Sequence, residues 1–223
     1  MLKIYGVPIS VHTRKVIVAA IEKGVKFQND PVIPFNPPPG WHTLSPTGKI
    51  PVARDGEAVL RDSSVICAYL ERVHPQPPLY PAEPLPFARA LWYEEYADGT
   101  LFREVVHGLF FQRIIRPGLF AEKTDDAAVA AILDGTLPKV FGYLDDALGE
   151  EALEGGRFGV ADIALASNLI NFHYLGYDVD RRKYPRLAAS FDGWLRRPAI
   201  RTALGAEQAF AASMNLDTSF MQR

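Results

Sequence analysis

One cysteine, Cys67, stands among the 223 residues. A lone thiol excludes an internal disulfide and supplies no thiolate cluster, so neither a disulfide framework nor a metal centre is expected. Charge of one sign is not in excess: 24 Lys and Arg against 26 Asp and Glu leave a net charge of −2. With no basic footprint, no nucleic-acid partner is expected. No apolar run reaches the roughly 20 residues that cross a bilayer. Lys3, Arg14 and Lys15 interrupt the opening segment where a secretory signal would carry its apolar stretch. There is no internal repeat. These absences describe a soluble, cytoplasmic protein without membrane contact.

Proline organises what is present. Fourteen of the 18 prolines precede residue 87, and six of those crowd into residues 74–86, HPQPPLYPAEPLP. Such a stretch neither continues a helix nor fills a central strand, so it reads as a stiff linker. It divides the chain into residues 1–75, a linker at 76–86, and residues 87–223. A hydrophobic share of 48% is enough to build a core.

The first part mixes short strands and helices. Residues 2–5 alternate as a strand; Gly6, Pro8 and Ser10 turn the chain, and Ser10 or Thr13 caps the helix that follows. Val16, Ile17, Ala20 and Ile21 recur at helical spacing, and Gly24 fits the stop after them. Residues 25–27 alternate again, completing a βαβ unit. Residues 31–39 hold too many prolines for regular structure. Residues 52–54 and 58–60 flank Asp55-Gly56, a strong hairpin signal. Val65, Ile66, Tyr69, Leu70 and Val73 then build a closing helix. This order, β-α-β then β-β-α, is that of a thioredoxin-like domain. The second part is helical, with helices expected at 87–98, 101–115, 124–148 with a kink at Pro138, 161–172, 185–195 and 198–204. The 161–172 helix is apolar around most of its circumference and belongs at the centre.

Residues 47–70, TGKIPVARDGEAVLRDSSVICAYL, concentrate three devices. A glycine turn leads into Ile50-Pro51, the Asp-Gly hairpin follows, and Asp62-Ser63-Ser64 opens an apolar helix. A helix N-terminus attracts a carboxylate, and an exposed strand backbone pairs with an extended peptide. These devices suit a small peptide held by its backbone and its charged ends. Each also has a plainer reading: Asp and Ser are preferred N-caps, and Ser10 is as readily a helix cap as a functional hydroxyl.

With YGVPISVHTRKV, EKG, GKIP, DSSVICAYLE, FGVADIALAS and RRPAIRTAL in this order, nearly the whole chain resembles the glutathione transferase superfamily, nearest its serine-dependent phi- and theta-like groups. The resemblance implies a thioredoxin-like N-terminal domain, an all-α C-terminal domain and a homodimer. It implies that Ser10 stabilises the glutathione thiolate, with Tyr5 as runner-up because other classes use a tyrosine there. A free thiol of pKa about 8.5 is mostly protonated at neutral pH, so activation means favouring the anion. The resemblance further implies a cis bond before Pro51, Ile50 pairing with the cysteinyl backbone, and Asp62 and Ser63 on the γ-glutamyl end. Lys49 and His42 are candidates for the glycine carboxylate, although the proline-rich loop before them departs from the family pattern. Asp98 is a candidate for the γ-glutamyl ammonium across the dimer.

His107, Phe110, Phe111 and Arg113 fall on the helix that borders the electrophile pocket in such proteins. Asp162 matches an interior helix cap, but Gly159 replaces the usual Ser or Thr, leaving half of the capping box without a side chain. Cys67 reads as a packed, inert thiol. The expected activity is attack of the glutathione thiolate on a small hydrophobic electrophile, in a detoxifying transferase that needs no metal. Glutathione-dependent peroxide reduction or isomerisation on the same site is the alternative, as is an interaction protein that has kept the fold without turnover.

Overall fold

The computed structural model describes residues 1–150, 153 and 157–222. One sheet of four strands has the order β2-β1-β3-β4, built from β1 (Leu2–Tyr5), β2 (Phe27–Asp30), β3 (Val52–Asp55) and β4 (Ala58–Arg61). β1 and β2 are parallel, with Leu2 opposite Phe27, and are joined by α1 (Val11–Glu22), the crossover that a parallel pair requires. β3 pairs antiparallel with β1 and with β4. Asp55 lies opposite Ala58, so Gly56 and Glu57 make a two-residue turn. Between β2 and β3 the proline-rich loop leads into a single helical turn, α2 (Trp41–Leu44). α3 (Ser63–Val73) closes the thioredoxin-like part.

β2 begins later than its apolar alternation suggests. Gly24 takes φ +65° and the Val25 N–H bonds back to the Ala20 carbonyl at 2.9 Å, so Val25 belongs to the helix-ending motif. The strand consists of Phe27 and three polar residues, which an edge position tolerates.

In the helical part, α4 (Pro84–Tyr96) starts ahead of the expected 87. Pro84 and Pro86 lie in its first turn, where a missing N–H does no harm. The helical path does not break at Gly99. It continues through wider turns at Ala97–Leu101 and Arg103–Ile115 into α5 (Arg116–Leu119). Another wide turn, Ile132–Thr136, separates α6 (Asp126–Ala131) from α7 (Leu137–Glu150). The irregularity therefore falls one turn before Pro138, which has no N–H to return to Asp134.

The helix from Asp126 to Gly149 is 24 residues long, and by length and composition it is apolar enough to cross a bilayer, which no run in the sequence suggested. In this fold it turns Val129, Leu137, Phe141 and Leu144 into the core. Its Asp145 accepts from the backbone N–H groups of Arg186 and Leu187 at 2.8 and 2.9 Å, and so caps α9 (Pro185–Leu195).

α8 (Val160–Tyr174) is buried along its whole length and packs against α1 and α4. Asp162 supplies the half of the capping box that Gly159 leaves possible, accepting from the Gly159 N–H at 3.0 Å. Its other oxygen accepts from the Trp194 indole at 2.7 Å, tying α8 to α9. α10 (Pro198–Ser213) runs well past Leu204. Alanines follow Gly205, and Glu207 is anchored inside the molecule, so the glycine does not end the helix.

Candidate functional site

The site starts where β1 gives way to α1. Gly6 has φ +156°, and a Cβ there would collide with Thr13 Oγ1 and come within 3.3 Å of Ile50 Cβ. Three pieces of backbone therefore meet at this glycine: the end of β1, the first turn of α1 and the turn before Pro51. Ser10 caps α1. Its backbone is extended (φ −67°, ψ 128°), and its Oγ accepts from the Thr13 N–H at 3.5 Å. Of the two expected caps, Ser10 is the one used. A hydroxyl that accepts in this way still carries its own proton to donate, and it sits beside the positive end of the helix dipole. Tyr5 is half-buried, with its ring edge-on to Trp41 at 6.3 Å, packed with Val32 and Val52.

The Ile50–Pro51 peptide bond is cis, as the resemblance implied. The turn before it is pinned from both sides. Trp41 Nε1 donates to the Gly48 carbonyl at 3.1 Å, and Ser45 Oγ donates to the Lys49 carbonyl at 2.7 Å. Lys49 is exposed, and His42 lies against Gly48 at the same turn.

At the N-terminus of α3, Asp62 takes φ +76°, a left-handed backbone that a non-glycine residue adopts at a cost of order 1–3 kcal/mol. Its Oδ1 accepts from the N–H groups of Ser64 (2.9 Å) and Val65 (3.4 Å). The plain capping reading of Asp62 is thus realised, and it uses one carboxylate oxygen. Ser63 is buried, with its Oγ 3.5 Å from His12 Nδ1.

His12 belongs to a charged cluster that the sequence reading did not foresee. Its Nδ1 also lies 3.4 Å from Asp98 Oδ1. The ammonium of Lys15, fully buried on α1, donates to Ser64 Oγ and Glu94 Oε1, both at 2.9 Å, and to Asp98 Oδ2. Tyr80 donates to Glu94 Oε2 at 3.1 Å. Burial pushes the Asp98 carboxyl upward, but Lys15 and then His12 outweigh it and hold the group down at about 2. Burial likewise opposes the charge on Lys15, and Asp98 and Glu94 reverse the effect, so its pKa is raised. The Asp98 carboxylate is therefore engaged within its own chain. Cys67 lies near this cluster, and burial pushes its thiol well above the usual range, in keeping with an inert, packed role.

The second-domain candidates separate into two groups. Phe110 is buried in the core. Arg113 donates to Asp126 at 2.9 Å, and Tyr177 also bonds it, so it braces α6. His107 and Phe111 stay closer to the surface. The His107 ring meets Phe102 at 4.5 Å, and Phe102 meets His12 at the same distance. Partial burial, then the charges of His12 and Lys49, lower the His107 pKa. Phe111 meets Phe120 at 6.2 Å, and Phe120 meets Phe35 of the proline-rich loop at 5.9 Å, edge to face. Rings from the two parts of the chain thus meet at two places, Phe35 with Phe120 and His12 with Phe102. Phe35, Phe102 and Phe120 were missed because nothing local marks an aromatic residue that meets its partner through the fold. His12 had one local signal, its place in the first turn of α1 two residues after Ser10.

Residues 4–78 match the glutathione S-transferase N-terminal domain family, and residues 126–189 match the glutathione S-transferase C-terminal domain family. The chain is 30% identical over 170 residues to glutathione S-transferase 3 of Zea mays, covering 72% of this chain and 73% of that protein. It is 27% identical to glutathione S-transferase Z1 of Arabidopsis thaliana, covering 96% of each. The theta class glutathione S-transferase of Xanthomonas axonopodis pv. citri, solved with glutathione bound, superposes with a TM-score of 0.78 at 28% identity, covering 91% of this chain and 96% of that one. The chain belongs to the glutathione S-transferase family.

Proposed function

We propose that the protein binds glutathione along the 50–63 edge and activates its thiol at Ser10 for attack on a small hydrophobic electrophile. The observation that carries this reading is the convergence at Gly6: a helix-capping hydroxyl, the first turn of α1 and the Ile50 side of the Pro51 turn share one corner. Ser10 donates to the sulfur, and the α1 dipole assists the anion. Ile50 offers backbone to the cysteinyl residue, while Ser63 and Asp62 take the γ-glutamyl carboxylate and ammonium. Lys49, with His42 nearby, supplies a cation for the glycine carboxylate. Orientation and partial desolvation of the thiolate supply the catalysis. Tyr5 is the weaker candidate for the thiol, since its ring is committed to Trp41 and the cluster around it. The electrophile lies against His107, Phe102 and Phe111, and the apolar character of that lining supports a hydrophobic substrate.

A homodimer belongs to the same reading. Val65, Val73, Leu85, Phe87 and Trp92 on α3 and α4 are large apolar residues exposed in the single chain, a surface suited to a second copy.

Titration of glutathione with thiolate absorbance as the readout tests the activation role. The wild type is expected to bind glutathione and lower its thiol pKa below the free value of about 8.5. Ser10→Ala is expected to bind it and restore that value. Binding without any lowering in the wild type removes the activation role. An aryl halide assayed beside a peroxide separates transfer from reduction.

A further inference from the structure

His12 is a positioning residue for the γ-glutamyl end of glutathione, we infer, because it fixes the direction in which the Ser63 hydroxyl donates; this rests on the glutathione reading above. One nitrogen, Nδ1, faces two groups at once: Asp98 Oδ1 at 3.4 Å and Ser63 Oγ at 3.5 Å. These are the hydroxyl assigned to the carboxylate and an acid beside it, and a single imidazole bridges them. The ring is held in place on Phe102 at 4.5 Å, with 22% of the side chain exposed.

The tautomer follows from the surroundings. Lys15 and His12 hold Asp98 down at about 2, so it is a carboxylate at neutral pH. A ring nitrogen that presented only a lone pair to that carboxylate would be repelled, so Nδ1 carries a proton and donates to Asp98. A nitrogen that carries a proton cannot also accept from Ser63. The Ser63 hydroxyl is left to turn its lone pairs toward the imidazole and its proton away from it. It is thereby pre-set as a donor for an incoming carboxylate, and no rotor freedom is lost on binding. Among the described residues, the other charged groups of this cluster are already engaged. Lys15 is spent on Asp98, Glu94 and Ser64, and His107 lies beyond Phe102.

The test titrates the full chain by calorimetry with glutathione and with cysteinylglycine, which lacks the γ-glutamyl group. His12→Ala is expected to weaken glutathione about tenfold, the value of one well-made hydrogen bond, and to leave cysteinylglycine unchanged. His12→Gln, which keeps an N–H donor, is expected to recover most of the loss. Combined with Ser63→Ala, the His12→Ala change is expected to add nothing, since it acts through that hydroxyl. In steady state the loss falls on KM for glutathione with kcat kept. An equal loss for both ligands, no loss for either, or additivity with Ser63→Ala overturns the role. Should His12→Ala fail to fold by circular dichroism, His12→Phe keeps the ring on Phe102 without the nitrogen and must show the same selective loss. A wild type that prefers glutathione no more than cysteinylglycine overturns the underlying assignment of the site instead.

Discussion

Two adjacent cations on α1, Arg14 and Lys15, are both wholly buried, yet they end in different parts of the molecule. Arg14 turns toward α8 and α10. Its guanidinium donates to both oxygens of Glu207 at 2.6 and 2.7 Å, to the Ser167 carbonyl at 2.6 Å and to Asn171 at 2.9 Å. Tyr174 donates to the same Glu207 at 2.9 Å and lends its ring face to the guanidinium. Burial opposes the Arg14 charge and Glu207 more than restores it, so its pKa is raised. Lys15 turns the other way, into Glu94, Asp98 and Ser64, and through Asp98 it reaches His12 and Ser63. The planar fork of arginine suits a closed, fully bonded clamp, while a point charge on a flexible stem gathers several acceptors around itself. One cation locks the two parts of the chain together, and the other sets the charge state beneath the site.

This contrast is broken severely by Arg14→Met. It strands Glu207 in the core, and an expected loss of about 3–5 kcal/mol should appear in urea unfolding. Arg14→Met with Glu207→Leu should be less damaging than Arg14→Met alone, because no charge is then left unpaired. Ser10→Ala comes next, on activity: kcat/KM is expected to fall by about two orders of magnitude, the size of losing one donor to a developing anion. Its stability cost is that of a cap, about 1 kcal/mol, so activity and stability separate clearly.

Asp98→Asn sharpens the contrast through pH. The folded pKa of Asp98 lies below its ordinary value, so its stabilisation is fully present above about pH 4. It is lost as pH falls through about 2, the value at which the group is held. The wild type is therefore expected to lose about 2 kcal/mol over that window and the variant to lack this part of the slope, read from acid unfolding followed by circular dichroism. Lys15→Met likewise strands a core acid, Glu94, which is 1% exposed and is left with the Tyr80 hydroxyl. Its stability loss is therefore expected to be comparable to that of Arg14→Met, although Asp98 keeps access to water, with its side chain 15% exposed. Lys15→Met should also weaken glutathione binding, which a structural clamp alone does not predict; calorimetry compares the two variants directly.

Much of the first part was legible because its signals are local. Gly24 ends α1, Gly56 turns the hairpin, and Asp62 caps α3, each through backbone geometry that a residue type dictates. Ser10 was legible as a cap for the same reason. Helix continuity in the second part was not. Gly99 and Gly205 stop nothing, because the helices around them are supported by burial on neighbours rather than by propensity. The edge strand was legible as the close of a βαβ unit but not in its extent, since its polar residues 28–30 carry no alternation. Phe110 and Arg113 lie on the helix that the resemblance sets beside the pocket, where position alone leaves core, interface and pocket open; packing places one in the core and the other on Asp126.

By itself the sequence determined the order of elements, the cap at Ser10, the turn at Ile50-Pro51 and the helix start at Asp62, because each depends on a few neighbouring residues. It also carried the resemblance that family membership bears out. Only the tertiary structure decided which acid Arg14 and Lys15 would meet, that Asp98 would be held as a carboxylate, and that His12 would stand between it and Ser63. Those partners lie tens of residues apart along the chain. A buried charge chooses its partner by the shape of the space it is sealed into, and that shape exists only once the two parts have packed.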